Sequence, residues 1–277
     1  MTDLALAVVT QFSDAILAGL PTTLALAVVL TILCALFPGA SGKPWWRTSD
    51  MITDICWWFA TPLFTRYLSL LLLITGTVWF SMIRGEDATD TSPSLGVSLL
   101  AGMPFWLSVI VYIVLIDIMM YVTHRAFHTM TLWHYHAVHH STEELHWMSA
   151  RRFHPMDDLI HIVLPDVVLI LLGMPIEIIA FVAPFQVWHS ALIHSDLNWD
   201  FGFLKTVIVS PIYHRWHHTG IDQGGSKNFS ATFPILDLVF GTYYMPKGER
   251  PERFGIDDPT FPKDFAGQLL HPFRNRA

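Results

Sequence analysis

Histidines are the residues in this chain whose type and spacing point to chemistry. The sequence has 15 of them in 277 residues, and eight fall into three regularly spaced groups. The groups are His124 and His128; His136, His139 and His140; and His214, His217 and His218. Residues three and four apart share one face of a helix. Each group therefore presents its imidazoles together.

The eight imidazoles predict a metal centre. Imidazole nitrogen is a ligand for zinc, copper, iron and nickel. Because a structural zinc ion needs only four ligands, eight histidines predict two metal ions. A nitrogen-ligated pair with open positions fits redox iron that activates O₂ better than it fits a hydrolytic metal.

Other metal chemistries fit the sequence less well. No HExxH string is present, so the base of a zincin protease is missing. The two cysteines, Cys34 and Cys56, are too few for an iron–sulfur cluster or a cysteine zinc site. A metal transporter would place ligands within several membrane-crossing helices, whereas the first three apolar runs contain no histidine. Transport is therefore the less favoured alternative.

The apolar runs that must position these histidines are long enough to cross a membrane. Apolar residue types make up 52% of the chain and charged types 14%, with a mean hydropathy of +0.43. About 20 helical residues cross the hydrocarbon core. Three membrane spans are predicted, at Ile16–Phe37, Tyr67–Ile83 and Leu95–Ile116.

A fourth apolar region predicts a helical hairpin. Its arms, Leu159–Leu172 and Ile176–Ile193, are separated by Gly173, Met174 and Pro175, which form a helix stop signal. The predicted fold is an all-α integral membrane helical bundle with a cytosolic histidine-rich cap. Its regions are an N-terminal transmembrane part at 1–116, a catalytic part at 117–246 with the hairpin near 159–193, and a cytosolic tail at 247–277.

Charge predicts how the chain sits in the membrane and excludes one class of partner. The formal charge of −7 provides no basic surface for nucleic acid. Twelve of the 16 basic residues follow Thr123. By the positive-inside rule, the N-terminus lies outside and the metal site lies on the cytoplasmic side, in a bacterial inner membrane or an ER-type membrane.

Longer motifs surround the histidines. They are Asp117-x3-Tyr121-x2-His124-Arg125-x2-His128, Trp133-x2-His136-x2-His139-His140-Ser141, Arg152-Phe153-His154-Pro155, Pro211-x2-His214-x2-His217-His218 and Asp237-x2-Phe240-Gly241-Thr242. Together they resemble the fatty acid hydroxylase / sterol desaturase superfamily, over roughly Asp117 to Pro246. The resemblance implies a membrane enzyme of lipid biosynthesis in which the eight histidines bind two iron ions, with O₂ as co-substrate.

The expected reaction is hydroxylation of a lipid C–H bond, the substrate being a sterol, a fatty acyl chain or a related lipid. Desaturation of a lipid on the same scaffold is the alternative, and a non-catalytic metal-binding or transport protein is a second one. We find no flavin, dinucleotide or haem-binding motif in the sequence. An external electron donor is therefore expected: a ferredoxin, a cytochrome b5-like protein or a reductase.

Further residues are candidates around the metals. Two irons can use more than eight ligands, and His194, near the end of the second hairpin arm, is the favoured ninth, ahead of His189. Other polar residues could orient the imidazoles from outside. These are Asp117, Tyr121, Glu143, His154 and Asp237.

Overall fold

The computed structural model describes residues 2–84, 98–129 and 131–274. Those residues form helices and no strand. The α-helices are α1 (Thr2–Leu36), α2 (Met51–Arg84), α3 (Phe105–Phe127), α4 (Trp133–His140), α5 (Pro155–Asp158), α6 (Leu164–Leu171), α7 (Ile176–His194), α8 (Pro211–His217), α9 (Ile235–Phe240) and α10 (Phe265–Arg274). Three 3-10 segments, Trp45–Arg47, Trp147–Arg151 and Gly202–Leu204, and a π-helical turn, Leu159–Val163, complete the described helical structure.

Four of these helices are long and apolar enough to cross a membrane. The candidate spans are Ile16–Leu36 within α1, Met51–Ile83 within α2, Phe105–Phe127 and Ile176–His194. The prediction of an all-α membrane protein is therefore confirmed. The second predicted span, Tyr67–Ile83, is the last part of a helix that starts at Met51.

The third span begins later in the structure than the sequence predicted. We expected Leu95–Ile116, but the helix runs from Phe105 to Phe127, and residues 95–97 lie outside the described part of the chain. Just before the helix, Gly102 adopts a positive φ of 77° and Pro104 occupies the N-cap position in an extended conformation. The helix also ends later than predicted, at Phe127, so the first histidine pair lies at the end of α3.

The predicted hairpin is present. Its first arm consists of α5, the π-helical turn and α6, and Gly173 ends that arm with a positive φ of 96°. Pro175 caps the start of the second arm, α7. The second arm is itself long enough to span, which adds a fourth candidate to the three predicted spans. In the first arm, Asp166 accepts a hydrogen bond from the Tyr112 hydroxyl at 2.8 Å.

Two apolar clusters join the spans to the region that carries the histidines. One joins α3, α6 and α7 through Tyr112, Ile116, Leu169 and Val182. The other packs Leu26, Leu30 and Trp58 of the first two helices against Trp147 and Met148. The 3-10 segment Trp147–Arg151 is thereby held against α2 and α7.

Candidate metal centre

Three short stretches of helix present the histidine groups. The first pair lies at the C-terminal end of α3, with His128 as the C-cap. The second group ends α4, and the third occupies α8 and its C-cap His218. The start of α8 is fixed by Ser210, whose hydroxyl accepts the Tyr213 N–H at 3.2 Å. One or two helical turns are sufficient because the i, i+3, i+4 spacing needs a single turn.

Five histidines converge in what we call the five-histidine group. One ring nitrogen from each lies within 4.8 Å of the others. The members are His124, His128, His136, His140 and His217. The Nε2 atoms of all five are buried and have no hydrogen-bond partner. Buried polar atoms normally have a partner, so five such nitrogens in one group indicate a place for a cation.

The other ring nitrogen is anchored in three members of this group. Carbonyl oxygens of the 227–229 loop lie 2.8 Å from the Nδ1 atoms of His124 and His217. The Nδ1 of His136 lies 2.7 Å from a carboxylate oxygen of Asp157. With the proton on Nδ1, each ring leaves the Nε2 lone pair free for a metal.

Four more histidines form the four-histidine group, His139, His194, His214 and His218. The Nε2 of His194 lies 3.3 Å from that of His139 and 3.0 Å from that of His214. The Nε2 atoms of His214 and His218 are 3.1 Å apart. Ligands about 2.0–2.1 Å from one metal and at right angles lie ~3 Å apart. The spacing therefore fits nitrogens that share one cation.

The two groups are adjacent, and their rings are available to a metal at neutral pH. The rings of His140 and His218, one from each group, stack with centroids 4.5 Å apart. Burial, reinforced by neighbouring histidines, lowers the pKa of His136, His140 and His218 well below the ordinary value. Neutral imidazole is the form that binds a metal.

The two candidate extra ligands occupy different places. His194 ends α7, with its Nδ1 2.7 Å from the Ser190 carbonyl and its Nε2 inside the four-histidine group. The Nε2 of His189 lies 3.0 Å from the Val209 carbonyl. His189 belongs to neither group among the residues that the structure describes.

The carboxylates expected to touch imidazoles contact the backbone instead. Asp117 accepts two N–H groups of the loop 228–233, at 2.7 and 3.2 Å. Asp237 accepts two others from the same loop, at 2.9 and 2.7 Å. The same loop contains the Phe229 carbonyl that His124 contacts, so both carboxylates are linked to that imidazole through the loop backbone and do not contact it directly.

The other three outer candidates also make their polar contacts away from the histidine groups. The Tyr121 hydroxyl lies 2.9 Å from the Thr242 hydroxyl. The Nδ1 of His154 accepts the Met156 N–H at 3.1 Å and caps α5. Glu143 is exposed and receives a hydrogen bond from a lysine ammonium at 3.0 Å. We assign these three contacts to the fold and not to the orientation of an imidazole.

Sequence reasoning missed two residues beside the five-histidine group. Asp157 is fully buried, and its carboxylate contacts the imidazole of His136, a member of that group. His161, on the π-helical turn, lies with its ring 5.2 Å from that of His124 and its Nδ1 2.8 Å from the Thr123 hydroxyl. A usable signal for Asp157 was its place at the start of an apolar arm, where a charged residue needs a partner.

Comparison with known proteins gives matches over the region that carries the histidines. The fatty acid hydroxylase family matches residues 109–242. Ornithine lipid hydroxylase OlsE of Rhizobium tropici is 30% identical over 175 residues, which are 63% of this chain and 53% of that protein. Alkylglycerol monooxygenase is 29% identical over 129 residues in Danio rerio and 28% over 141 residues in Caenorhabditis elegans, in each case 28% of the relative. No solved structure gives a significant match.

The described residues form a helical membrane protein with histidine groups that could hold metal ions. Its histidine-containing region, 109–242, matches the fatty acid hydroxylase family, and the resemblance seen in the sequence is thereby confirmed. The chain spans about half the length of the first of these relatives and less than a third of the other two.

Proposed function

We propose that this chain is an O₂-dependent iron enzyme that hydroxylates a C–H bond of a membrane lipid. The observation that carries the proposal is the convergence of nine buried or half-buried histidines into two adjacent groups. Each of the eight histidines in the three sequence groups also keeps one buried ring nitrogen without a hydrogen-bond partner. The lipid names of the relatives favour a lipid substrate.

The donor set fits a pair of iron ions. Both groups consist only of imidazoles among the described residues, and imidazole is a good ligand for iron. The proposed ligands are His124, His128, His136, His140 and His217 for one ion and His139, His194, His214 and His218 for the other. When bound, the pair would supply the redox chemistry that activates O₂ and removes hydrogen from an unactivated carbon.

The protein holds the rings still and keeps the centre dry. Hydrogen bonds from Nδ1 to carbonyls and to Asp157 fix ring orientation before any metal arrives. His124 and His194 end candidate membrane spans, so both groups lie where apolar helices stop. This position favours a substrate that reaches the centre from the bilayer.

Electron supply and orientation complete the proposal. Hydroxylation consumes O₂, two electrons and two protons for each alcohol and each water formed, so a partner must deliver electrons. We propose a ferredoxin, a cytochrome b5-like protein or a reductase. The basic residues after Thr123 support an external N-terminus and a cytoplasmic metal site. Tags at the two ends should differ in protease access from outside, the N-terminal tag alone being cut.

The function is tested by lipid analysis and metal counting. Wild type and His214→Ala are expressed in the same host with the electron donor. Wild type should produce lipids that have gained one oxygen atom, and the variant should not. Lipids that instead lose two hydrogen atoms would support desaturation. Purified wild type should hold about two metal ions per chain, and one ion or none would contradict the two-metal proposal.

A further inference from the structure

A groove of about 230 Å³ lies away from both histidine groups, between α1 and α2. Its walls come from Ile16–Thr23 on α1 and Trp58–Leu63 on α2, with Val187 and Arg151 completing it. The contributing parts of α1, α2 and α7 all belong to candidate membrane spans. The groove therefore lies between apolar helices, and the Arg151 guanidinium supplies the positive charge among its lining residues.

Two consecutive arginines in this region have opposite surroundings. Arg152 is fully buried and donates to Asp54 at 2.6 Å, and Asp50 lies 3.5 Å from it. The guanidinium of Arg151 lies 5.8 Å over the Trp58 ring, and within the described chain it forms no hydrogen bond or ion pair. Asp158 acts on it electrostatically from beyond ion-pair distance. Arg152 is thus paired with acidic side chains of the protein, whereas the Arg151 guanidinium has no hydrogen-bond partner among the described residues.

The lack of a hydrogen-bond partner for Arg151 needs an explanation, because most residues that line the groove are apolar. A guanidinium stays charged in proteins and has five hydrogen-bond donors. A charge surrounded by apolar groups costs free energy unless it is paired and hydrogen-bonded. Asp158, whose carboxylate accepts from the Thr65 hydroxyl at 2.6 Å, acts on this charge from a distance but accepts no hydrogen bond from the guanidinium. An anion that enters the groove would supply the missing partner.

We propose that this groove binds the anionic head of a single-chain lipid. The carboxylate or phosphate pairs with Arg151, and the acyl chain lies along the apolar residues of α1 and α2. The cation–π contact with Trp58 holds the guanidinium in place for this pairing. The inference goes beyond the proposed hydroxylation, because it concerns a binding site built from residues outside the histidine groups.

The groove has room for such a chain beside Gly19. A side-chain carbon added at this glycine would meet no other atom within 4 Å. Gly19→Leu therefore introduces an apolar side chain into the groove from a position where its first carbon is unobstructed, and it leaves Arg151 intact. It also replaces a poor helix former by a good one, so loss of folding is not expected.

Binding is measured on the purified full chain in a neutral detergent, with three probes of equal chain length. These are palmitate, which carries a carboxylate; palmitoyl lysophosphatidate, which carries a phosphate; and neutral monopalmitoylglycerol. We expect one anionic lipid per chain, bound at least about tenfold more tightly than the neutral one. Arg151→Gln should lose that difference, and Arg151→Lys should keep most of it.

The controls separate this site from the proposed enzyme activity. Arg47→Gln removes an exposed arginine outside the groove and should bind like wild type. Gly19→Leu should weaken all three lipids. His214→Ala should lose metal but bind palmitate normally. A preference for palmitate or for lysophosphatidate identifies a carboxylate or a phosphate head. Equal binding by wild type and Arg151→Gln, or equal binding of charged and neutral lipids, would overturn the proposal.

Discussion

The five-histidine group and the four-histidine group differ in how their rings are held. In the first group three rings are anchored through Nδ1, two to carbonyls and one to Asp157. Its members all come from the three regularly spaced groups of the sequence. The second group needs His194 from the hairpin, and its Nε2 atoms contact one another at 3.0–3.3 Å. The rings of the five-histidine group are thus held by hydrogen bonds from outside the group. The four-histidine group depends on the packing of α7, which supplies His194.

The difference in ligand number has a chemical consequence. A six-coordinate metal with five imidazoles has one position left, whereas one with four imidazoles has two. Catalytic metal sites keep positions open for non-protein ligands. The proposed function therefore assigns the more open coordination to the four-histidine group, next to α7. The five-histidine group has the more complete shell.

The largest effect is expected from the residue that completes the smaller group. His194→Ala should remove about one metal ion per chain and lower activity by more than about 100-fold, because loss of a ligand exceeds the 10- to 100-fold typical of an outer partner. His189→Ala is the matched control on the same helix and should keep both metals. The measurement is metal content by mass spectrometry. If His194→Ala keeps two metal ions per chain, His194 is not a metal ligand.

The next effect tests the bracing of the five-histidine group. Asp157→Asn keeps the shape of the side chain but replaces the carboxyl group that orients the His136 ring with an amide. Metal affinity at that group should fall by about 10- to 100-fold, measured by competition with a chelator. Glu143→Gln makes the same kind of change at an exposed carboxylate and should leave affinity as it was. If Asp157→Asn and Glu143→Gln bind the metal equally well, the contact between Asp157 and His136 is not needed for metal binding.

A smaller effect is expected where the group has a ligand in excess. His128 is the only half-buried member of the five-histidine group. His128→Ala leaves four imidazoles, so the ion should be retained and activity should fall by roughly 10-fold or less. The comparison is with His194→Ala in the same metal assay. If His128→Ala loses its ion as completely, ligand number does not distinguish the two groups.

The smallest effect concerns a ring that stacks on the four-histidine group. Phe153 lies parallel to His139, with centroids 4.5 Å apart and planes 9° apart. Such contacts contribute about 0.5–1.5 kcal/mol, so Phe153→Leu should weaken metal binding there by roughly two- to tenfold. The chelator competition assay used for Asp157→Asn measures it. A larger loss of metal affinity at the five-histidine group than at the four-histidine group would contradict this prediction.

Local spacing was sufficient to predict much of this molecule. The apolar runs indicated the membrane helices, and Gly173 with Pro175 indicated the hairpin, because these signals act within a few residues of the chain. The histidine spacing indicated which rings share a helix face. The start of the third span was predicted at Leu95 because the residues before Phe105 are also apolar, and hydropathy does not detect a turn among them.

What the sequence by itself determined is the set of eight regularly spaced histidines and the helices that carry them, since both depend on periodicity along one segment. Only the tertiary structure divided those histidines between two groups, with His139 and His140, neighbours in the chain, on different sides. It also places His194, and not His189, in the four-histidine group. Asp157, and not Asp117 or Asp237, lies against a ring of the five-histidine group. Those choices depend on how helices distant in the sequence dock, and residue spacing within one helix carries no information about that packing.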